Sequence, residues 1–315
     1  MMNPMPYVSW FGHGTTNFAP PASFTNVNVN IFAVAASLSA IQSLADRLLN
    51  PAGGGQFRYQ AALPIAIFSF ADAQRCTSVT EPAGWTPGRE TMVLTALWEF
   101  RSPSPLPTRL VFWAPYIFID YTIGLVCGRE IWGWPKNIGK IGVAADRPGG
   151  DFSVETTIFR TLAPDTRGEQ ATLLRIRQTQ PAAQLAPAWA SGADAALGLA
   201  EGLLGGLSGD VLRALCIKPR MECVVLKQFR SSSEPKLACY QAIVNSPVAL
   251  TNFVGGGPYF GQFTLEIATC ESHPIVSDLL GRLPDPNSTT VPVKFAGWST
   301  VDYEAIAGDE IVVRA

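Results

Sequence analysis

Apolar and polar positions along the chain follow two periods, and the two-residue period of a β-strand is the commoner one. Asn26 to Val34 alternates well enough to form a first strand. Ser37 to Leu49 instead shows helical spacing, behind a serine that can cap the helix. The apolar positions of this predicted helix are Leu38, Ile41, Leu44 and Leu48.

Most of the remaining chain has strand character, in short apolar runs separated by Pro- and Gly-rich connections. The predicted strands are Ala62 to Phe70, Thr91 to Phe100, Leu110 to Asp120, Val143 to Asp146, Phe152 to Leu162, Ala171 to Gln180 and Phe260 to Cys270. The apolar run from Ile117 to Cys127 is also typical of a strand. Two runs on either side of a polar turn at Ser231 to Pro235 predict a hairpin. These patterns indicate a mainly β protein.

Two segments depart from the strand pattern. Residues 1–30 are rich in Pro, Asn, Gly and aromatic residues, and we interpret them as an irregular lead-in to a single domain at 31–315. Residues 181–216 are rich in Ala, Gly and Leu with a weak helical period, so they predict a helical excursion or lid. Its glycines each lower helix propensity by about 1 kcal/mol relative to alanine, which favours one or two imperfect helices.

Composition excludes several functional classes. The 315 residues are 47% hydrophobic and 15% charged, which is typical of a well-buried globular protein. The formal net charge is −2 and no long basic run occurs, so neither nucleic acid nor a membrane surface is an expected partner. No signal-like pattern precedes Trp10, and no apolar run reaches the ~18 residues of a membrane span. We therefore expect a cytoplasmic protein.

The cysteines and histidines do not form metal-binding patterns. The six cysteines are spread without any C-x-x-C pair, which favours reduced thiols over a disulfide framework or a zinc site. His13 and His273 are the only histidines, and they are far apart in the sequence. We expect no metal site.

The candidate chemistry lies in a tryptophan-rich corner that ends in Pro135 and Lys136. Proline restricts the backbone around it, so the lysine has a defined position. Trp132, Trp134 and Ile138 flank the lysine and are able to shield its amine from water. A lysine amine is a nucleophile only when neutral, whereas the ordinary pKa of a lysine, ~10.4, favours the ammonium form at pH 7. The corner therefore predicts a shielded, nucleophilic lysine.

This corner and the step before it resemble the acetoacetate decarboxylase family, whose pattern is a Gly-Arg-Glu step followed by an aromatic-Pro-Lys-Lys corner. The matching residues are Gly128, Arg129, Glu130, Pro135 and Lys136. In that family the first lysine forms a Schiff base with the ketone of a β-keto acid, and the resemblance implies this role for Lys136. Asn137 stands where the family has a second lysine, so Lys140 and Arg129 are the nearest other cations in sequence.

The resemblance also assigns supporting roles. Glu90 begins a predicted strand at the position of a family active-site glutamate, which implies proton handling at the enamine carbon or positioning of the iminium. Glu130 has two open roles: it orients Lys136 or anchors the turn, or it forms a salt bridge with Arg129 or Arg89. The residues expected to support the site or bind substrate are Arg129, Glu130, Trp132, Trp134 and Asn137.

Three departures from the family pattern bear on specificity. Besides the missing second lysine, the chain has only Asn and Val at 26–30, where the family has a carboxylate-binding arginine. It also has no acidic residue at 66–68, where the family pattern is expected to have one. We expect the lysine chemistry to be kept, with decarboxylation of a β-keto acid as the first hypothesis. A pyruvate-type aldolase-dehydratase using the same lysine is the alternative, and a catalytically silent ligand-binding member is the second alternative.

The resemblance implies a fold as well as a reaction. It predicts a mainly β (α+β) architecture, an acetoacetate decarboxylase-like double-layered closed β-cone or barrel with a few peripheral helices. The implied activity is that of a carbon–carbon lyase without a cofactor, acting on a small-molecule keto acid. By analogy with the family we also expect a homo-oligomer. The tryptophans of the corner and the excursion at 181–216 favour a substrate larger or more apolar than acetoacetate.

Overall fold

The computed structural model describes residues 6–8, 17–81, 84–144, 150–181, 188–195, 198, 220–283 and 290–314. The strands are β1 (Ala22–Ala35), β2 (Phe57–Ala61), β3 (Ile65–Ser78), β4 (Trp85–Arg101), β5 (Arg109–Ile119), β6 (Lys136–Ile138), β7 (Lys140–Gly142), β8 (Asp151–Ile158), β9 (Glu169–Pro181), β10 (Arg220–Met221), β11 (Val224–Arg230), β12 (Ala238–Asn245), β13 (Val248–Pro258), β14 (Gly261–Ile267), β15 (Thr290–Ala305) and β16 (Asp309–Arg314). The helices are α1 (Leu38–Ala52), α2 (Thr122–Cys127) and the one-turn π-helices Gly128–Trp132 and Val276–Leu280.

One large curled sheet organises the chain. Thirteen of the described strands belong to it, with the main path β6-β5-β4-β3-β1-β15-β14-β9-β8-β7, while β2, β10 and β13 pair at its side. The β5–β6 pairing is parallel, and the other pairings are antiparallel. The sheet forms a half-barrel, which confirms the predicted mainly β fold with few helices. Its two end strands, β6 and β7, are separated in sequence by Gly139 alone, so the chain itself brings the two ends together.

The main hydrophobic core lies on one face of this sheet. Successive side chains of β1, β3 and β4 point to opposite faces of the sheet. The side chains on the core face are fully buried. These residues include Phe32, Phe68, Phe70 and Val93. Phe32 packs on Phe152 of β8 with ring centroids 4.8 Å apart, so the core joins distant parts of the curled sheet. The apolar side of α1 also packs here, and Ser37 caps the helix by accepting a hydrogen bond from the Ala40 amide.

A second layer covers part of the opposite face. The small sheet β11-β12-β16 contributes Val225, Ala242 and Val244 to a separate apolar cluster with Ile117, Cys127, Trp132 and Trp134. A third cluster on this face contains Val27, Ala73, Cys76 and Val301. The two smaller clusters lie on either side of the candidate lysine described below.

The predicted strand from Ile117 to Cys127 is wrong in its second half. β5 ends at Ile119, and α2 begins at Thr122. The β-branched and aromatic residues of this run favour a strand locally, but tertiary contacts override that propensity. Asp120 exchanges hydrogen bonds with Arg89 at the strand end, after which the chain turns away from the sheet.

Other boundaries also differ from the sequence predictions. β1 begins at Ala22, so the proposed lead-in boundary at residue 30 falls inside a strand. Of the strand predicted at Val143 to Asp146, the structure describes Val143 and Ala144, and neither belongs to a strand because β7 ends at Gly142. The helical excursion at 181–216 lies largely outside the described residues, although 192–195 and 198 are helical. Among the described helices, none is both long enough and apolar enough to cross a membrane.

Candidate active site

Lys136 and Glu90 meet on the face of the sheet that lies opposite to the main core. Lys136 is the first residue of β6 and pairs with Ile117, while Glu90 of β4 pairs with Ile119 on the other edge of β5. The Lys136 Nζ donates directly to the Glu90 carboxylate. The two side chains are only 9% and 14% exposed, so the ion pair is largely withdrawn from water.

The Gly-Arg-Glu step folds back onto the lysine. A Cβ atom at Gly128 would lie 2.5 Å from Cδ and Cε of Lys136, so only glycine allows the lysine side chain to pass. Arg129 donates from Nη1 to the Lys136 carbonyl at 2.9 Å and fixes the start of β6. The π-helix that carries the step ends at Gly133, whose φ of 82° and close approach to Lys227 both require glycine. π-Helical turns of this kind are frequent at functional sites.

The two tryptophans form a buried support behind the lysine. Trp132 is 4% exposed and Trp134 is 5% exposed, and both belong to the second apolar cluster. The Trp132 indole donates to the Ile306 carbonyl at 2.7 Å. Ile138 does not complete this support, because it is 52% exposed. Asn137 is exposed, and its side-chain amide donates to the Pro135 carbonyl at 3.4 Å.

Glu130 and Lys140 lie outside this arrangement. The Glu130 carboxylate accepts a hydrogen bond of 2.6 Å from Asn17, and none of the ion pairs found among the described residues joins it to Arg129 or Arg89. Lys140 has an 82% exposed side chain that lies 3.5 Å from Glu155. Lys140 is therefore a solvated surface cation rather than a neighbour that could disfavour the ammonium form of the candidate lysine.

Residues that the sequence did not single out complete the site. Tyr121, between β5 and α2, packs its ring against Gly88 and Gly124, where any Cβ atom would collide with it. Its hydroxyl donates to the Cys76 thiol at 3.6 Å. Gly88 belongs to a second Gly-Arg-Glu step, which ends at Glu90. The repeated Gly-Arg-Glu step was the one sequence signal for this neighbourhood, since in both copies the glycine makes room for a side chain of the site.

The electrostatics of these neighbours reflect the buried ion pair. Burial raises the pKa of the Cys76 thiol to about 11, with the Glu90 charge acting in the same direction. Burial also holds the pKa of the Tyr121 and Tyr303 hydroxyls well above the ordinary value, and the Glu90 carboxylate adds to both shifts. Tyr303 stacks on Phe24 with ring centroids 4.7 Å apart. The Cys76 thiol and the two tyrosine hydroxyls are therefore neutral at physiological pH.

The contact between the amine and the carboxylate is a geometry that suits covalent and proton-transfer chemistry. No group of three or more His, Cys, Asp or Glu side chains in the described ranges has a geometry that could hold a metal. The site contains one amine in contact with one carboxylate. Gly128 leaves the space that the lysine side chain occupies.

Comparison with solved structures finds the same fold in enzymes of low sequence similarity. Acetoacetate decarboxylase from Legionella pneumophila superposes with a TM-score of 0.59 at 15% identity, over 99% of this chain and 92% of that one. An acetoacetate decarboxylase-like enzyme from Sphingomonas wittichii RW1 gives a TM-score of 0.58 at 13% identity, over 98% and 100% of the two chains. The enduracididine biosynthesis enzyme MppR, complexed with the condensation product of pyruvate and imidazole 4-carboxaldehyde, gives 0.55 at 15% identity, over 98% and 97%.

These likenesses establish an acetoacetate decarboxylase-like fold, as the sequence resemblance predicted. Neither a protein-family model nor a curated protein sequence matches the chain.

Proposed function

We propose that the protein is a carbon–carbon lyase that binds a keto acid as a Schiff base on Lys136, with decarboxylation of a β-keto acid as its reaction. The observation that carries the proposal is the direct contact between the Lys136 amine and the Glu90 carboxylate in a largely water-excluded position. A lyase of this type needs no group beyond the amine, a proton carrier and the substrate's own carbonyl.

The ion pair can generate the nucleophile by moving a single proton. Transfer from the Lys136 ammonium to the Glu90 carboxylate leaves a neutral amine beside a carboxylic acid, with no change in net charge. Burial favours this neutral form, whereas the mutual attraction of the two ions opposes it. A substrate that displaces the remaining water shifts the balance toward the neutral pair, because desolvation disfavours both charges.

The subsequent steps use the same two groups. The amine attacks the ketone carbon, and the resulting carbinolamine loses water after Glu90 returns the proton to its oxygen. The protonated imine then accepts the electron pair of the breaking carbon–carbon bond, which releases CO2 and leaves an enamine. Glu90, now a carboxylate, takes up a proton from water and delivers it to the enamine carbon, and hydrolysis of the new imine frees the ketone product and the lysine.

The surroundings of the pair favour the loss of CO2. Ala71 lies directly across from Glu90, and Val29 lies across from Ala71. These apolar groups exclude water from the bound keto acid, so its carboxylate is poorly solvated, whereas the neutral CO2 that replaces it is not destabilised.

Aldol-type condensation with dehydration on pyruvate remains the second candidate. It is favoured by the structural likeness to MppR, which was solved with pyruvate and with a condensation product of pyruvate. The same imine and enamine serve this reaction, with an aldehyde instead of a proton as the electrophile.

Borohydride trapping with a panel of keto acids tests the proposal. The protein is incubated with acetoacetate, longer β-keto acids or pyruvate, then reduced and examined by intact mass, while released CO2 is recorded. An adduct together with CO2 is the expected result. An adduct with pyruvate but no CO2 from any acid would favour the aldolase-type reaction. No adduct with any acid would contradict both reactions and favour the silent ligand-binding alternative.

A further inference from the structure

The strand register places Lys136 at one end of a row of side chains that crosses the sheet. Glu90 belongs to the neighbouring row and lies two strands before the same end. The first row consists of Gly297, Ile31, Ser69, Met92, Ile117 and Lys136. The second row consists of Ser299, Val29, Ala71, Glu90, Ile119 and Ile138. Directly paired residues share a face, so both rows lie on the face opposite to the main core.

These two rows form a groove, because the rows beside them are covered. On one side Ala33, Ile67 and Leu94 are buried, and on the other side Val27, Ala73 and Val301 are buried. Between them, the side chains of β1, β3 and β4 remain partly accessible. The accessible residues are Val29, Ile31, Ser69, Ala71, Glu90 and Met92.

Beyond Glu90, the side chains that line the floor of this groove are uncharged. From Glu90 the second row continues through Ala71 and Val29 to Ser299 on β15. Three strand spacings separate β4 from β15, which corresponds to a length of about 14 Å. Apart from Glu90, the second row consists of uncharged side chains, so it offers no charge to a polar substituent.

An aromatic side chain closes the far end of the groove. Trp189 pairs with β13 by donating its amide to the Gly256 carbonyl at 2.8 Å. A Cβ atom at Gly297 would lie 3.2 Å from Cη2 of Trp189, so the indole rests on the end of the first row. The groove therefore extends from the Lys136 amine to the Trp189 indole.

We infer that the keto acid bound by Lys136 carries a medium-length apolar chain, which lies along this groove from Glu90 toward Trp189. The inference rests on the proposed Schiff-base function, and it narrows the substrate class to β-keto acids longer than acetoacetate. Each methylene that leaves water on binding favours the complex about fourfold. A chain that fills the groove therefore gains affinity that acetoacetate lacks.

A chain-length series measures this gain. The kcat/KM for CO2 release is determined for unbranched β-keto acids of four, six, eight and ten carbons. We expect kcat/KM to rise by roughly tenfold or more for each pair of added methylenes until the groove is filled. A flat or falling series, with an adduct still trapped on the lysine, would overturn the inference and leave the proposed function intact.

A leucine at the far end of the groove supplies a structural test. Ser299→Leu places a large side chain on the second row, and Thr172→Leu adds the same side chain at an exposed position of β9. We expect Ser299→Leu to lower the ratio of kcat/KM for the ten-carbon acid over acetoacetate by tenfold or more, and Thr172→Leu to leave it unchanged. Loss of folded protein cancels in this ratio. An unchanged ratio in Ser299→Leu would overturn the inference.

A binding measurement separates the groove from the chemistry. The melting temperature is recorded with sodium decanoate and with sodium butyrate, neither of which can form an imine. Stabilisation by decanoate that is lost in Ser299→Leu would support the groove even if no imine were ever trapped, which would contradict the proposed function alone. Equal melting temperatures with both salts would count against the groove whatever the outcome of trapping.

Discussion

The two faces of β3 and β4 carry opposite kinds of residue. Toward the main core, Phe68, Phe70 and Val93 are fully buried. Toward the site, the neighbouring residues Ala71 and Glu90 are small or charged and partly accessible. The same strands therefore serve two purposes: one face holds the sheet together by burying apolar area, while the other offers space and a charged pair. Changes on the first face should alter stability, and changes on the second should alter chemistry.

The largest effect is expected at the lysine. Lys136→Ala removes the nucleophile, so kcat should fall on the order of 10⁴-fold or more. Lys140→Ala is the matched control, because its side chain is 82% exposed and pairs with Glu155 at the surface. Decarboxylation assays on both variants check this, and full activity in Lys136→Ala would contradict the mechanism.

Glu90→Gln should have the next largest effect. The amide keeps the size of the side chain but cannot accept and return the proton, so kcat should fall about 10²- to 10⁴-fold. Glu155→Gln breaks a surface ion pair instead and should keep wild-type rates. If kcat were unchanged in Glu90→Gln while imine trapping persisted, another group would have to handle the proton.

Substitutions on the core face should lower the free energy of unfolding. Phe70→Ala removes a fully buried ring and should lower the free energy of unfolding by about 3–5 kcal/mol. Ala71→Ser, one residue away on the site face, should cost less than about 1 kcal/mol because the position is partly accessible. Urea unfolding of both variants measures the difference, and equal costs would remove the distinction between the faces.

Gly128→Ala tests the packing that positions the lysine. The added methyl would lie 2.5 Å from Cδ and Cε of Lys136 and should displace the amine, lowering kcat by about 10- to 100-fold. At Gly255 a Cβ atom would meet nothing within 4 Å, so Gly255→Ala is the control. Steady-state measurement of kcat for both variants tests this prediction. Equal kcat values would show that the lysine tolerates displacement.

The smallest expected effect is on the pH dependence of folding stability, through a histidine on the core face. His273 packs against Phe118 with ring centroids 5.5 Å apart, and burial lowers the pKa of His273. The unfolded chain, with a histidine pKa of ~6.5, then binds more protons than the folded one near that pH. The stability that this histidine contributes is therefore complete above ~6.5 and lost as pH falls toward the folded pKa.

His273→Gln should flatten that part of the pH dependence. Urea midpoints at about pH 8 and about pH 5 measure it, and an identical slope in the variant and the wild type would contradict the assignment.

The strand content could be predicted from the sequence because it rests on local patterns, and alternation at Asn26 to Val34 predicts β1. The lysine site was proposed from the resemblance of Gly128 to Lys136 to a family pattern, and it stays a prediction. Glu90 was also predicted as a site residue, and the fold brings it into contact with Lys136.

The remaining features depend on contacts between distant segments. The helix at Thr122–Cys127 has the composition of a strand, and long-range contacts flank it: Tyr121 packs on Gly88, and Gly128 packs on Lys136. Cys76 joins the site only through the register of β3, which no local pattern reveals. Likewise, the groove depends on which residues pair across six strands.

A peptide map of the protein after borohydride reduction in the presence of a β-keto acid tests whether Lys136 forms the Schiff base. We expect one reduced adduct, located on the peptide that contains Lys136, and no adduct in Lys136→Ala. An adduct on another lysine, or an adduct that persists in Lys136→Ala, would contradict the assignment of this residue as the Schiff-base nucleophile.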